Sequence, residues 1–140
     1  MTGALSVDER GSVAYVNDAS LEGFRRFYVV RNHSRGFVRA WHGHRFERKM
    51  VTVVSGAALV CCVRVDDWVR PSVDLAVDRY VLSAESPSVL SIPAGFANGS
   101  MTLTSDAALC YFSDAPIESA GEDDIRFPAH YWDAWAVSER

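Results

Sequence analysis

Two histidines and a lysine lie close together in the segment RAWHGHRFERKMVTVVSG, residues 39–56. A neutral histidine accepts a proton near pH 7, so His42 and His44 are candidate bases. The ammonium group of Lys49 can stabilise the enolate oxygen that forms when a proton leaves the carbon next to a carbonyl group. These residue types therefore favour proton abstraction next to a carbonyl group.

The same segment has the character of a β-strand, which determines where its side chains point. Side chains alternate between the two faces of a strand. We therefore expect His42 and His44 on one face, and Arg39 and Trp41 on the other unless a β-bulge intervenes.

Short strands separated by turns make up most of the remaining chain. Runs of β-branched and aromatic residues alternate with Gly, Pro, Asn, Asp and Ser clusters. Ser55-Gly56 and Ser105-Asp106 each predict a hairpin between the flanking strands. The predicted strands are Ser12–Val16, Phe24–Arg31, Met50–Val54, Ala57–Val65, Arg79–Ser83, Val89–Ile92, Met101–Thr104 and Ala107–Ser113.

This pattern predicts an all-β sandwich or barrel formed as a single domain over residues 1–140. Asp66–Asp78 is expected to be a loop. After Asp114 the composition changes, and Arg126–Trp135 (RFPAHYWDAW) predicts a C-terminal turn or short helix that packs on the barrel through its aromatic side chains.

Composition excludes several classes of protein. The chain is 49% hydrophobic and 23% charged with a net charge of −4, which offers no basic surface for nucleic acid or a membrane. Cys61, Cys62 and Cys110 are odd in number and form no CxxC motif, so we expect reduced, packed thiols. Without a signal peptide or a membrane-length apolar run, we expect a complete, cytoplasmic protein.

Two motifs resemble those of the cupins, jelly-roll barrels recognised by His-x-His with a glutamate and a glycine, and by Pro-x-Gly-x-x-His. The matching residues are His42, His44, Gly56, Pro93 and Gly95. Lys49 stands at the glutamate position and Asn98 at the last histidine position, while Glu47 comes one or two residues too early. Two good donors are too few for a metal ion, so we expect a jelly-roll barrel without a metal.

Further segments carry a resemblance to one enzyme family over nearly the whole chain. They are Asp8-x-Arg10-Gly11, Arg39-Ala40-Trp41-His42, Leu82–Glu85 and Ile92–Gly99, and Lys49 keeps the family's spacing ahead of Gly56. Together they resemble the dTDP-4-dehydrorhamnose 3,5-epimerase family. A second family competes with it: Arg39–His44 and Phe24–Tyr28 are similar to segments of the dTDP-4-keto-6-deoxyglucose 3,4-ketoisomerases, which have Arg-Gly-x-His-Ala-His.

Both resemblances imply a homodimeric isomerase that acts on a nucleotide-diphospho-4-keto-6-deoxy sugar without a cofactor. They imply that His42 is the base and Lys49 the enolate stabiliser. Arg39 and Arg10 would contact the pyrophosphate, with Arg10 reaching across the dimer. The same site would include Arg26 and Asn98 as substrate contacts.

The chain departs from the epimerase family at two functional positions. The family's tyrosine acid follows the last barrel strand, where this chain has Ser113–Ile117. The aspartate that orients the family's base comes in a segment that here is Phe127–His130. The residue that returns the proton is therefore open among His44, Tyr28 and Tyr111.

Three functions remain, and Lys49 and the second-half motif favour the first. In an epimerase, His42 removes a proton from carbon 3 or 5 next to the 4-keto group, Lys49 stabilises the enolate, and a proton returns from the opposite face. In a 3,4-ketoisomerase, His42 and His44 move the carbonyl through an enediol. The third function is non-catalytic binding of a sugar nucleotide, suggested by the missing tyrosine and aspartate.

Overall fold

A computed structural model describes residues 1–138 and 140 as two facing antiparallel sheets with an N-terminal hairpin beside them. The elements are β1 (Ala4–Asp8), β2 (Gly11–Tyr15), β3 (Arg26–Arg31), β4 (Val38–His44), β5 (Lys49–Ser55), β6 (Ala57–Arg64), β7 (Asp78–Ser83), β8 (Leu90–Ile92), β9 (Phe96–Thr102), β10 (Ala108–Ser113), α1 (Ile117–Ala120) and β11 (Ile125–Arg126). One sheet has the order β3-β10-β5-β8 and the other β11-β4-β9-β6-β7. The predicted all-β jelly-roll architecture is confirmed.

The inner core lies between the two sheets. Every second side chain of a strand points inward, and the inward positions of β5, β6 and β10 carry apolar residues such as Val51, Val60 and Leu109, each 0% exposed. Burial of this apolar surface is the main force that holds the sheets together. Toward one end of the barrel the inward positions become polar, and the candidate site lies there.

A second apolar cluster covers the outer face of the five-stranded sheet. Trp132 and Trp135 of the C-terminal segment pack on Trp41 of β4, with ring centroids 5.5 and 5.1 Å away. The indole nitrogens of Trp41 and Trp135 both donate to the carbonyl of Ala129. The predicted packing of the C-terminal aromatic residues on the barrel is therefore confirmed, although the helix in this part of the chain, α1, comes before them.

A β-bulge interrupts the pairing of β4 with β9. Arg39 lies opposite Ser100 and His42 opposite Asn98, so β4 carries one residue more than β9 over this stretch. Trp41 faces the outer core as predicted, but the bulge turns Arg39 to the same side as His42. The expectation that Arg39 points away from His42 in a regular strand therefore fails, and the bulge is the reason.

Several sequence predictions are corrected by the topology. The Ser55–Gly56 and Ser105–Asp106 turns do not form hairpins, because each passes the chain from one sheet to the other. β9 begins at Phe96 and not at Met101, since its first residues pair with both β4 and β6. β1 was not predicted. The Asp66–Asp78 loop is confirmed up to Asp78, where β7 begins.

Among the described residues, no helix has the length and apolar character needed to span a membrane.

Because β4 and Trp135 pack closely on Gly99 at the bulge, we expect replacement of Gly99 to lower the stability of the fold. A Cβ at Gly99 would lie 2.5 Å from the Cβ of Ala40 and 2.9 Å from the Trp135 ring, while a Cβ at Gly121 would meet nothing within 4 Å. We expect Gly99→Ala to lower the free energy of unfolding by about 1–3 kcal/mol, and Gly121→Ala to leave it nearly unchanged. Urea denaturation of both variants tests this, and equal stabilities would contradict the close approach.

Candidate active site

Two adjoining cavities share the side chains of Tyr28, His42 and Lys49, which come from β3, β4 and β5. The first has a volume of about 270 Å³, and its further lining residues are Val30, Arg39, Asn98, Ser100 and Tyr111. The second has a volume of about 330 Å³, and its further polar lining residues are Arg26, His44, Glu47, Asp124 and Arg126. We call them the tyrosine cavity and the charged cavity. A molecule that spans both contacts all three shared side chains.

His42 lies between the two cavities in a neutral state. Burial lowers the pKa of His42 to about 4, assisted by the charges of Arg126 and Lys49 and opposed by Asp124. The Oδ1 atom of Asp124 lies 3.6 Å from Nδ1 of His42. This placement favours the tautomer with its proton on Nδ1, so that Nε2 is available to accept a proton.

Asp124 supplies the acidic partner of His42 that the sequence comparison placed elsewhere. Its carboxylate accepts two hydrogen bonds from Nε of Arg126 at 2.8 and 2.9 Å and one from Nη2 at 2.6 Å. Arg126 belongs to β11, which pairs directly with His42 of β4. The segment that carries the base-orienting aspartate in the family has none in this chain, and the structure instead brings Asp124 next to His42 from the segment before β11. The available signal was the acidic run before the short strand β11.

Lys49 is buried, and its ammonium group contacts three side chains. Nζ donates to the hydroxyl of Tyr28 at 3.2 Å and to Nε2 of His44 at 2.9 Å. It also lies 3.5 Å from Oε1 of Glu47. These contacts direct the end of the lysine side chain toward the wall that the two cavities share.

His44 is also neutral, but both of its ring nitrogens are occupied. Because Nε2 accepts from Lys49, the ring proton lies on Nδ1, which donates to the carbonyl of Asp123 at 2.6 Å. Burial and the charge of Lys49 lower the pKa of His44, while Glu47 opposes them. His42 and His44 line the same cavity, as predicted, yet in this arrangement His44 holds Lys49. Its role as a second acid or base stays a prediction.

The loop between β4 and β5 is fixed by Asp123. Its carboxylate accepts hydrogen bonds from the backbone N–H groups of Arg45, Phe46 and Glu47 at 2.7, 2.9 and 2.9 Å. This anchoring turns the Glu47 side chain inward, where it accepts a hydrogen bond from Ser113 at 2.6 Å. Asp123 was not identified from the sequence, and Glu47 was considered there only as a metal ligand.

Tyr28 and Tyr111 stack with their ring centroids 5.4 Å apart and an angle of 7° between the rings. Burial raises the pKa of Tyr111, which lines only the tyrosine cavity. Tyr28 lines both cavities and its hydroxyl contacts Lys49. Of the two predicted tyrosine acids, Tyr28 is therefore the better placed.

Four other predicted residues complete the comparison of sequence and structure. Arg39 lines the tyrosine cavity and donates to Asn32 at 2.8 Å. Arg26 lines the charged cavity, and Asn98 lines the tyrosine cavity while donating to the backbone carbonyl of His42. Arg10 is different. It lies on the exposed β1–β2 hairpin, pairs with Asp8, and is absent from the lining of either cavity.

The site residues do not fit a cupin metal centre. Within residues 1–138 and 140, no three His, Cys, Asp or Glu side chains are grouped so that they could hold a metal ion. Lys49 and Asn98 occupy two of the positions at which cupin ligands are expected, and an ammonium cannot ligate a metal. That the reaction proceeds without a metal or other cofactor stays a prediction.

Comparison with known proteins gives one family. The model of the family described as dTDP-4-dehydrorhamnose 3,5-epimerase matches residues 6–138. A search of curated protein sequences gave no significant match.

Solved structures similar to the chain include three sugar-nucleotide enzymes. A dTDP-4-dehydrorhamnose 3,5-epimerase from Bacillus anthracis with TDP and PPi bound is 23% identical, with a TM-score of 0.76 over 98% of this chain and 83% of that one. A 3'-monoepimerase from Streptomyces bikiniensis in complex with dTDP-quinovose is 19% identical, with a TM-score of 0.76 over 100% and 78%. A 3,4-ketoisomerase from Thermoanaerobacterium thermosaccharolyticum in complex with TDP is 15% identical, with a TM-score of 0.68 over 96% and 90%. Because all three sequence identities are below 25%, the structural similarity establishes a shared fold and nothing further.

The environment of His42 predicts how its ring titrates. We expect a midpoint at about pH 4, below the usual 6.5, because burial disfavours the imidazolium. NMR titration of the histidine ring signals measures this, and His42→Gln assigns the signal. Since Asp124 favours the charged ring, Asp124→Asn should lower the midpoint further. A wild-type midpoint at 6.5 or above would contradict the buried, neutral state.

Proposed function

The chain belongs to the dTDP-4-dehydrorhamnose 3,5-epimerase family and is an isomerase, and from that premise we propose that it epimerises a nucleotide-diphospho-4-keto-6-deoxy sugar at carbon 3, carbon 5 or both. The observation that carries the proposal is the pairing of a neutral His42, with Nε2 available, and the ammonium of Lys49 on one shared wall. A base and a cation on one wall suit removal of a proton next to a ketone.

In the proposed reaction, Nε2 of His42 takes the proton from the carbon beside the 4-keto group. The electron pair of the broken C–H bond forms a C=C bond to carbon 4 of the sugar, and the π pair of the carbonyl moves to its oxygen, which becomes an enolate oxygen that faces the ammonium of Lys49. Asp124 stabilises the imidazolium that forms at His42, as an acidic partner does in other histidine-dependent enzymes. Transfer of a proton to the other face of the same carbon completes the inversion.

Tyr28 is our proposed source of the returning proton. It lines both cavities, and Lys49 donates a hydrogen bond to its hydroxyl oxygen. The same ammonium would stabilise the phenolate that Tyr28 leaves behind. Tyr111 instead packs beneath Tyr28 and, with its raised pKa, keeps its proton.

Arginines around the cavities suit a diphosphate. Arg39 lines the tyrosine cavity and Arg26 the charged cavity, and the guanidinium group is the side chain best matched to phosphate oxygens. Similar structures with bound TDP, PPi or dTDP-quinovose support a nucleotide-diphospho-sugar as the substrate class. Asn98 supports the site by holding the backbone of His42.

A 3,4-ketoisomerase is the second candidate. Its support is that His42 and His44 line the same cavity, because two imidazoles there could exchange protons with adjacent carbons. The occupied Nδ1 of His44 counts against it. The third reading of the sequence, non-catalytic binding, was suggested partly by a missing aspartate, which Asp124 now supplies.

We propose that the protein is a homodimer in which the β1–β2 hairpin packs on a second copy. Every residue of both hairpin strands is exposed, among them Leu5, Val7 and Val13. An isolated two-stranded hairpin is marginal in water, and a patch of such side chains calls for a partner. The arrangement also gives Arg10 a role in the partner's cavity.

We further propose a cytoplasmic enzyme, in keeping with three free thiols.

Proton exchange tests the reaction directly. Incubated in D₂O with fresh dTDP-4-keto-6-deoxyglucose, the protein should introduce deuterium at carbon 3 or 5 while the carbonyl stays at carbon 4, as followed by NMR. His42→Gln should lower kcat/KM by about 10²–10⁴-fold. His130→Gln, at a histidine whose side chain is 80% exposed, is the matched control. A carbonyl at carbon 3 would identify the ketoisomerase instead, and no exchange would contradict both.

The dimer makes a separate prediction about assembly. Sedimentation should show a dimer, and Val7→Asp should raise its dissociation constant about tenfold or more, because each copy loses a valine that the proposed interface covers. Val69→Asp, at a valine 81% exposed in the loop before β7, should leave the dimer intact. A monomeric wild-type protein would contradict the proposal. If Arg10 serves the partner's cavity, the Val7→Asp protein also loses activity on dilution.

A further inference from the structure

We propose that Glu47 is a positioning residue, which keeps the buried Lys49 in its ammonium form and aims it at the wall shared by the two cavities. The consequence for catalysis rests on the proposed function, whereas the effect on the charge of Lys49 stands independently of it. Glu47 itself need not touch the substrate.

The strand register places two cations close together in the barrel. Ser113 of β10 lies opposite Arg26 of β3 on one side and opposite Lys49 of β5 on the other. The three residues form a row across the inner face of the four-stranded sheet. Two positive charges in such a row are costly in the interior unless an anion balances them.

Glu47 lies over this row and contacts each of its members. Its side chain is 1% exposed. Oε1 accepts a hydrogen bond from Ser113 at 2.6 Å and lies 3.5 Å from both Nη2 of Arg26 and Nζ of Lys49. Oε2 lies 3.2 Å from Nδ1 of His44 without a hydrogen bond of good geometry. One carboxylate therefore serves two cations and a neutral imidazole.

The other groups around Lys49 offer it no negative charge. His44 and His42 of β4 have lowered pKa values and are neutral, and Tyr111 of β10 keeps its proton because burial raises its pKa. Tyr28 of β3 contributes a hydroxyl, and β8 contributes the apolar Ile92 opposite Lys49.

Among the residues that the structure describes, Glu47 is the only carboxylate within ion-pair distance of Lys49. The neighbouring acidic residues are engaged elsewhere. Asp124 is held by Arg126, and Asp123 by the backbone of the loop between β4 and β5. The charge balance of the row therefore depends on Glu47.

Removal of the Glu47 charge should act on Lys49 and not on Arg26. A guanidinium keeps its proton at any pH that a folded protein tolerates, whereas a buried amine gives its proton up readily. In a Glu47→Gln protein, Lys49 is the member of the row that becomes neutral as the pH rises. A neutral amine stabilises an enolate oxygen poorly.

The composition of the chain allows the ionisation of Lys49 to be measured at a single atom. Lys49 is the only lysine in the sequence, and every other basic side chain among the 14 Lys and Arg residues is arginine. Protein labelled with ¹³C at the lysine ε carbon therefore gives one side-chain NMR signal. Its shift against pH reports the ionisation of Lys49 without any substrate.

We expect Glu47→Gln to move the Lys49 midpoint toward lower pH, because the amine loses the carboxylate that lies 3.5 Å away. Glu47→Asp, which keeps the charge on a shorter side chain, should show a smaller move. Asp114→Asn is the matched control, since it removes a carboxylate that holds Arg48 on the outside of the barrel. An unchanged midpoint in Glu47→Gln would overturn the proposal.

Kinetics provide the second measurement. With the 4-keto sugar substrate, Glu47→Gln should lower kcat about tenfold or more, change KM little, and move the alkaline limb of the pH profile in the same direction as the NMR midpoint. Circular dichroism checks folding, and if Glu47→Gln does not fold, Glu47→Asp carries the test. A shifted midpoint in a protein that turns over no sugar would support the role of Glu47 and refute the proposed reaction.

Discussion

The extra residue in β4 is the constraint on which the site depends. Between Arg39 and His42, β4 contains one residue more than the paired stretch of β9. The missing side chain of Gly99 leaves the space that the extra residue requires. Without the bulge, Arg39 would face the outer tryptophans while His42 faced the interior. With it, a guanidinium and an imidazole enter the same cavity from one strand, and Trp41 still anchors that strand from behind.

The site contains two neutral histidines that differ in what surrounds them. His42 has an aspartate on one side and a cavity on the other, so its Nε2 atom is available to accept a proton. His44 lies two residues later on the same strand, but a lysine and a backbone carbonyl take both of its nitrogens. Position on a strand face therefore brings both rings inward, and the segment before β11, which supplies the Asp123 carbonyl and the Asp124 carboxylate, gives them different surroundings.

Motif spacing identified His42, His44 and Lys49, because these side chains lie within one short segment of the sequence that forms β4 and the start of β5. It did not identify Asp124 as the partner of His42 or Glu47 as the partner of Lys49. Both partners depend on pairing between distant segments, β11 with β4 and β10 with β3 and β5, which local periodicity does not contain. The wrong hairpins have the same origin. Ser55-Gly56 marks a turn correctly, but turn residues do not specify which sheet the next strand joins.

The strand that carries His42 is supported on its outer face by residues that come much later in the chain. The indole of Trp41 donates to a carbonyl 88 positions away, and Trp132 and Trp135 close over it. During synthesis β4 therefore leaves the ribosome long before the segment that covers it. Until that segment arrives, a tryptophan and an unpaired strand edge are exposed together, which is the combination that favours aggregation. The fold thus leaves the strand that carries His42 uncovered until almost the whole chain has been made.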